Sequence, residues 1–207
     1  MKLAVFDFDS TLMDGETIDF FAREIGLKKE VAQITDLAMN GKLDFFESLM
    51  TRVQLLKGLE YKKVVEIGKN LPLMPGAKKT VEGLQAKGYK VICFSGGFSV
   101  GTSPAKDLLG LDADFANVLH HKNGLLSGLI AGDMMFDYSK GDMIQKLQNI
   151  LSISRKDTLV VGDGANDRSM FQYADTRIAF CAKEILKKEA NIIINTKDLT
   201  HILNHIK

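Results

Sequence analysis

The chain has no tryptophan, two cysteines and three prolines among 207 residues. Two thiols, Cys93 and Cys181, are too few for the disulfide framework of a small secreted scaffold. They lack metal-ligand spacing and stand in apolar runs, so they read as buried free cysteines of a reducing cytosol. No apolar stretch approaches the roughly 18 residues of a membrane span. The N-terminus leads straight into a strand pattern, so neither secretion nor membrane insertion is expected. An excess of one charge is also missing: 27 basic side chains face 26 acidic ones, for a net charge of +1. That balance excludes a broad nucleic-acid-binding surface but not one local anionic ligand. Repeats and low-complexity segments are absent too.

What is present is the profile of a globular protein with a real core, 45% hydrophobic and 26% charged,. The length suits one large domain, or one domain carrying an insertion. The first strand organises the rest. Leu3 to Phe6 is an apolar run that reads as a strand buried on both faces of a parallel sheet. It climbs into Asp7, skips one residue to Asp9, and ends at Thr11. Side chains alternate along a strand, so Asp7 and Asp9 are expected on one side of its carboxyl end, where open α/β sheets build their sites. Two ionised carboxylates this close repel unless a cation lies between them or one is protonated.

After Met13 the pattern changes to helical spacing. Ile18, Phe21, Ala22 and Ile25 predict one helix ended by Gly26, and a second covers about 28–40. A third opens on Asp44 and Glu47, the spacing of a capping box, and a fourth runs over about 61–70. Residues 14–72 therefore read as a helical insert above the end of the first strand. Pro72 and Pro75 mark the return, so 1–13 and 73–207 form the α/β core. There a helix near 77–87 precedes a strand over 89–94 that stops at Ser95-Gly96-Gly97. Ser103-Pro104 has the form of a helix start. A strand over 115–119 is followed by a hairpin turning at Asn123-Gly124 within 120–130. A helix capped by Ser139 and Asp142, strands over 158–162, 177–180 and 191–194, and a final helix over 199–206 complete a doubly wound, mainly parallel, Rossmann-like sheet. His201 and His205 are four apart, but no third metal ligand lies nearby in sequence.

Three strands thus end in polar clusters, Asp7/Asp9/Thr11, Ser95/Gly96/Gly97 and Asp163/Asn166/Asp167, and one helix brings Lys140 at its start. Oxygen ligands from Asp7, Asp9 and Asp163 suit a hard cation such as Mg²⁺. Ser95, the amides of its glycine loop and Lys140 offer donors to a phosphate. One carboxylate is then placed to attack phosphorus, and the other to give the leaving alkoxide a proton and later to activate water.

These four clusters, in order, resemble the motifs of the haloacid dehalogenase superfamily: the DxDxT signature in Asp7-Phe-Asp-Ser-Thr11, then Ser95, Lys140, and Gly162-Asp-Gly-Ala-Asn-Asp167. The resemblance narrows to the phosphoserine phosphatase family through Glu16, Met39, Gly41, Leu43-Asp44-Phe45, Arg52-Val53 and Phe94-Ser-Gly-Gly-Phe98. It covers the whole chain. It implies a haloacid dehalogenase-like core with a helical cap, and Mg²⁺-dependent release of serine from O-phospho-L-serine, the last step of serine synthesis, in the cytoplasm. It implies Asp7 as nucleophile and Asp9 as acid and base. Asp7, the Asp9 carbonyl and Asp163 would hold the metal, with Asp167 supporting the site. Ser95, Gly96, Lys140 and Asn166 would meet the phosphate. Glu16 and Arg52 would pair with the ammonium and carboxylate of the substrate, and Met39 and Phe45 would exclude water. The partner implied is a small molecule, with no nucleic acid or membrane; monomer and weak homodimer both stay open. Arg168 departs from the family, which has an apolar residue there. So does Gly101-Thr-Ser-Pro104, which interrupts a helix that is continuous elsewhere.

A receiver-like domain that stores a phosphoryl group on aspartate also uses Asp, Thr and Lys at strand ends. It lacks the second carboxylate two residues on and the helical insert. A dehalogenase has no need of the acid at position 9. A phosphatase or phosphotransferase for another small phosphomonoester keeps all four motifs and differs only at the insert residues.

Overall fold

The structure, a computed structural model, describes residues 1–206. Its strands are β1 (Lys2–Asp7), β2 (Tyr89–Phe98), β3 (Ala113–Lys122), β4 (Leu125–Ala131), β5 (Thr158–Gly162), β6 (Thr176–Phe180) and β7 (Ile192–Ile194). They form one sheet in the order β4-β3-β2-β1-β5-β6-β7, parallel throughout except for the β3–β4 pair. The chain first winds outward from β1 to β2 and β3, then crosses to β5, β6 and β7. The crevice where the winding reverses therefore opens at the carboxyl ends of β1, β2 and β5.

Alternation along β1 divides the core. Ala4 and Phe6 join one buried layer, with α5 (Ala77–Ala86), α6 (Ser99–Leu109) and the segment after β7. Leu3 and Val5 join the opposite layer, with α7 (Ser139–Leu151) and α8 (Arg168–Phe171). A short α9 (Glu184–Lys187) follows β6. Asp7 shares the parity of Leu3 and Val5, so it points toward the layer of α7 and α8.

Between β1 and β2 stand α1 (Thr17–Glu24), α2 (Lys28–Met39), α3 (Phe45–Leu55) and α4 (Tyr61–Lys69). Their apolar faces form a separate cluster, including Phe21, Val31, Leu49, Val53 and Val64. That cluster also takes in Leu119, Leu126 and Ile130 of the β3–β4 hairpin. Backbone bonds tie the two: Leu126 N donates to Leu59 O at 2.8 Å, Gly58 N to Leu126 O at 2.9 Å, and Tyr61 N to Gly124 O at 2.8 Å. The hairpin is thus physically part of the helical layer, a grouping that sequence order conceals.

Several local expectations need correction. The Ser95-Gly96-Gly97 segment does not follow β2 but lies inside it, as an irregularity between Phe94 and Phe98. Helix α6 begins at Ser99, not at Ser103, and carries Pro104 in its interior. Proline has no N–H, so the Val100 carbonyl loses its usual helical partner. Gly68 of α4 packs there so closely that a Cβ would lie 2.2 Å from the Val100 oxygen. Ser139 does not cap α7; it is helical, and its hydroxyl accepts from Phe136 N at 3.2 Å. Asp44 does cap α3, accepting from Glu47 N at 2.9 Å. The last segment, Leu199–His205, is 3₁₀ rather than α. Cys93 is buried, but Cys181 is partly exposed, in a left-handed conformation just past β6. The Asn123-Gly124 turn has positive φ at both residues, as a two-residue hairpin requires,.

Candidate active site

A cleft of about 430 Å³ opens at the ends of β1 and β2 under α1, α2 and α3. Asp7, Asp9, Glu16, Met39, Phe45, Arg52, Gly96, Asp163 and Asn166 all line it. Ser95 is fully buried beside it, and Lys140 and Asp167 reach it from below through Asp7. The residues expected to carry the chemistry and the substrate contacts therefore converge here.

At the base, the Lys140 ammonium contacts the Asp7 carboxylate and lies 2.6 Å from Asp167 Oδ1. Lysine is in reach because α7 begins here and Asp7 faces its layer. The other oxygen of Asp167 accepts from Asp163 N at 2.9 Å and Gly164 N at 3.1 Å, pinning the loop after β5. Gly162 makes that possible, since a Cβ there would sit 2.3 Å from Asp167 Oδ2. Oxygens of Asp7, Asp163 and Asp167 come within 4.8 Å of one another, a group able to hold a metal ion. Among the described residues no other such cluster of His, Cys, Asp or Glu occurs, so His201 and His205 stay unpartnered as ligands.

Asp9 lies past the end of β1, so strand alternation does not orient it, contrary to the expectation above. Its Oδ1 instead accepts from the first turn of α1, from Thr17 N at 2.6 Å and Thr17 Oγ1 at 2.5 Å. Nothing in the residue pattern had marked Thr17; only its place at the head of the first helix after the motif hints at the role. Across from it, a Cβ on Gly97 would lie 2.6 Å from Asp9 Oδ2, so this glycine leaves room for the carboxylate. Ser95 Oγ accepts from Gly97 N at 2.9 Å, which leaves the serine proton free to donate. Asn166 is buried, and its side-chain oxygen has no partner.

Above the base, Glu16 accepts from Ser10 Oγ at 2.8 Å, with Ser10 held at φ 58°. Arg52 is buried on α3, one face away from solvent with Phe45. The helical layer is drawn tightly down: a Cβ on Gly96 would strike Phe45 at 2.5 Å, and one on Gly164 would meet Met39 Sδ at 2.9 Å. Lys183 pairs with Asp36 of α2 at 2.7 Å across the same seam. Arg168 lies outside, in an ion pair with Glu189 at 2.5 Å.

Electrostatically the cleft is short of positive charge. Five carboxylates, Asp7, Asp9, Glu16, Asp163 and Asp167, line or underlie it against two cations, Lys140 and Arg52. Burial, then the neighbouring Asp167, raises the Asp7 carboxyl to about 7 despite Lys140. Burial, then Asp9, raises Glu16 to about 8. Asp163 is pushed well up by burial and then by Asp7, and Asp9 is raised by burial against the pull of its two Thr17 bonds. Buried carboxylates in such excess fit a site completed by a divalent cation.

Known proteins share this chain's sequence and its fold. The profile of the haloacid dehalogenase-like hydrolases matches residues 1–175. The phosphoserine phosphatase of Wolinella succinogenes is 59% identical over 206 residues, covering all of both chains. A solved structure of a phosphoserine phosphatase with an analogue of its phospho-aspartyl intermediate superposes with a TM-score of 0.97 at 48% identity, covering 100% of this chain and 99% of that one. A substrate-bound phosphoserine phosphatase complex gives 0.96 at 48% identity, covering 100% and 98%.

Proposed function

Because the chain belongs to the phosphoserine phosphatases among the haloacid dehalogenase-like hydrolases, we propose that its cleft works as follows. The enzyme hydrolyses O-phospho-L-serine to L-serine and phosphate through an aspartyl-phosphate. Asp7 is the nucleophile: its carboxylate forms the bond to phosphorus as the seryl oxygen departs. Asp9, oriented by Thr17, gives that oxygen its proton, then takes one from the water that cleaves the acyl phosphate and regenerates Asp7,. Its raised carboxyl favours the protonated form needed for the first step.

The hydroxyl of Ser95, the backbone N–H of Gly96, Lys140 and the side-chain NH2 of Asn166 hold the phosphoryl oxygens. Asp7, the Asp9 carbonyl and Asp163 are the residues that would hold Mg²⁺, with Asp167 fixing the loop that presents Asp163. When bound, that ion neutralises the phosphoryl charge and the crowded carboxylates, and favours the ionised form of Asp7. Glu16 takes the substrate ammonium and Arg52 its carboxylate. Met39 and Phe45 close over Gly164 and Gly96 and keep bulk water out,. Residues 14–72 act as a cap that opens for exchange. No helix among the described residues is long and apolar enough to cross a membrane, and we place the enzyme in the cytoplasm, acting on a small molecule without nucleic acid.

One observation carries this reading: Asp7, gripped by Lys140, and Asp9, held by Thr17, share one cleft with Arg52 and Glu16. The test is phosphate release with Mg²⁺ from phosphoserine, phosphothreonine, phosphohomoserine and p-nitrophenyl phosphate. A strong kcat/KM preference for phosphoserine is expected. Equal rates on all four would overturn the roles given to Glu16 and Arg52.

A further inference from the structure

Arg52 is held in an unusual way for a buried guanidinium. Its Nε donates to the Ser48 carbonyl one turn back on α3, at 3.2 Å. Its Nη1 donates to Thr35 Oγ1 on α2, at 3.1 Å. Thr35 is itself 4% exposed, and its own proton goes to Val31 O at 3.0 Å. The hydroxyl is thereby committed as an acceptor for Arg52. Among the described residues no carboxylate lies within ion-pair distance of this arginine.

A guanidinium carries five N–H bonds, and two of them are used here. With Nε occupied by the helix, the side-on fork of Nε and Nη2 is closed to a ligand. What remains free is one N–H of Nη1 and both of Nη2, the set from which an end-on fork is drawn,. A neutral oxygen does the holding, so the positive charge is left for whatever enters the cleft. A carboxylate in the place of Thr35 would hold the arginine equally well and cancel that charge.

We propose that Thr35 is a positioning residue for substrate choice: its buried hydroxyl turns the Arg52 guanidinium so that only the end-on fork faces the cleft, which selects a carboxylate-bearing phosphomonoester. This rests on Arg52 as the carboxylate-binding group. Thr35 touches no reacting atom, so its effect falls on the binding of one substrate class and not on the chemistry common to all.

The experiment measures kcat and KM with Mg²⁺ for phosphoserine and for p-nitrophenyl phosphate, which has no carboxylate, in Thr35→Val, Thr35→Ser and Arg52→Ala. Thr35→Val should raise KM for phosphoserine about tenfold with kcat little changed, and leave p-nitrophenyl phosphate within about twofold. Thr35→Ser keeps the hydroxyl and should restore the wild-type constants. Equal loss on both substrates in Thr35→Val, no loss on either, or failure of Thr35→Ser to restore phosphoserine would overturn the proposal. Arg52→Ala separates the two levels. If it spares p-nitrophenyl phosphate while Thr35→Val does not discriminate, only the role of Thr35 fails; if it weakens both substrates alike, the assignment of Arg52 fails first. Circular dichroism checks each fold, and Thr35→Ala, judged by the same criteria, replaces the valine variant should that one not fold.

Discussion

Lys140 Nζ lies 2.6 Å from Asp167 Oδ1 and touches Asp7 with the same ammonium, so one buried cation joins the first strand to the loop after β5. Both carboxylates are almost fully buried. Removing the charge leaves them facing each other without compensation, which is costlier than never having buried them. Lys140→Met should therefore lower kcat/KM for phosphoserine at least 100-fold and also lower the melting temperature in the absence of metal. Steady-state kinetics with a thermal melt in chelator checks both effects. A variant as stable and as active as the parent would remove Lys140 from the phosphate site.

The raised carboxyls give the metal-free protein a definite pH response. Asp7 at about 7 and Glu16 at about 8 bind protons in the folded state at pH values where the unfolded chain has released them. Stability contributed by these protonated groups is complete below the ordinary carboxylate range. It is lost as pH rises through about 7 and then about 8. Thermal melts in chelator should show a falling midpoint from pH 5 to pH 9. Saturating Mg²⁺ should raise the midpoint far more at pH 8.5 than at pH 5.5, because ligand binding favours the folded, ionised site. A midpoint shift independent of pH would show that these carboxyls do not titrate with the site.

Much of this was legible because chemistry and topology coincide at strand ends. Asp7, Lys140 and Asp163 sit where an element begins or stops, and such boundaries are marked by apolar runs meeting polar residues; Ser95 stands where the apolar run of β2 gives way to glycines, though the strand itself continues to Phe98. The four helices of residues 14–72 were equally readable from their spacing and from glycines such as Gly26 and Gly41, both at positive φ. What escaped depends on contacts between distant segments. Thr17 and Thr35 look like ordinary helix residues until Asp9 and Arg52 are seen against them. The hairpin belongs to the helical layer through Leu119, Leu126 and Ile130, which no local pattern announces. Pro104 misled for a different reason. Proline in the first turn is the common case, and only the close approach of Gly68 to Val100 reveals a helix that tolerates it later,.

Gly97 offers a purely steric test of the Asp9 position. It is not among the glycines at positive φ, so alanine carries no backbone penalty there. Its Cβ, however, would fall 2.6 Å from Asp9 Oδ2 and 3.0 Å from Ser95 Oγ. Both side chains would have to shift, and a displacement of about 1 Å at a reacting group costs on the order of 100-fold in rate. Gly97→Ala is expected to fold normally yet lose about that factor in kcat. Burst kinetics should show slowing in both formation and breakdown of the phosphoenzyme, since the role proposed for Asp9 spans both steps. Near-normal kcat would mean that Asp9 has no fixed position to lose.

The seam between the helices and the core is closed by rings as well as charges. Phe46 on α3 stacks on Phe136, with centroids 5.0 Å apart and planes 18° from parallel. Phe136 stacks in turn on Tyr138 at 5.2 Å and 2°. Asp137, between those two, lines a second cleft of about 720 Å³ that reaches Asn166 from outside. Phe46 adjoins Phe45, so this ladder holds down the turn of α3 that covers Gly96. Phe136 is 41% exposed, and an aromatic pair is worth about 0.5–1.5 kcal/mol beyond its buried area,. Phe136→Ala should therefore barely change the global stability. It should shift the balance toward an open cap, raising KM for phosphoserine by roughly 2- to 10-fold, the same free energy expressed as a population. Phe136→Tyr, which keeps the stack, should behave as the parent. If the alanine variant instead melts much lower with KM unchanged, the ladder is structural packing and does not govern closure.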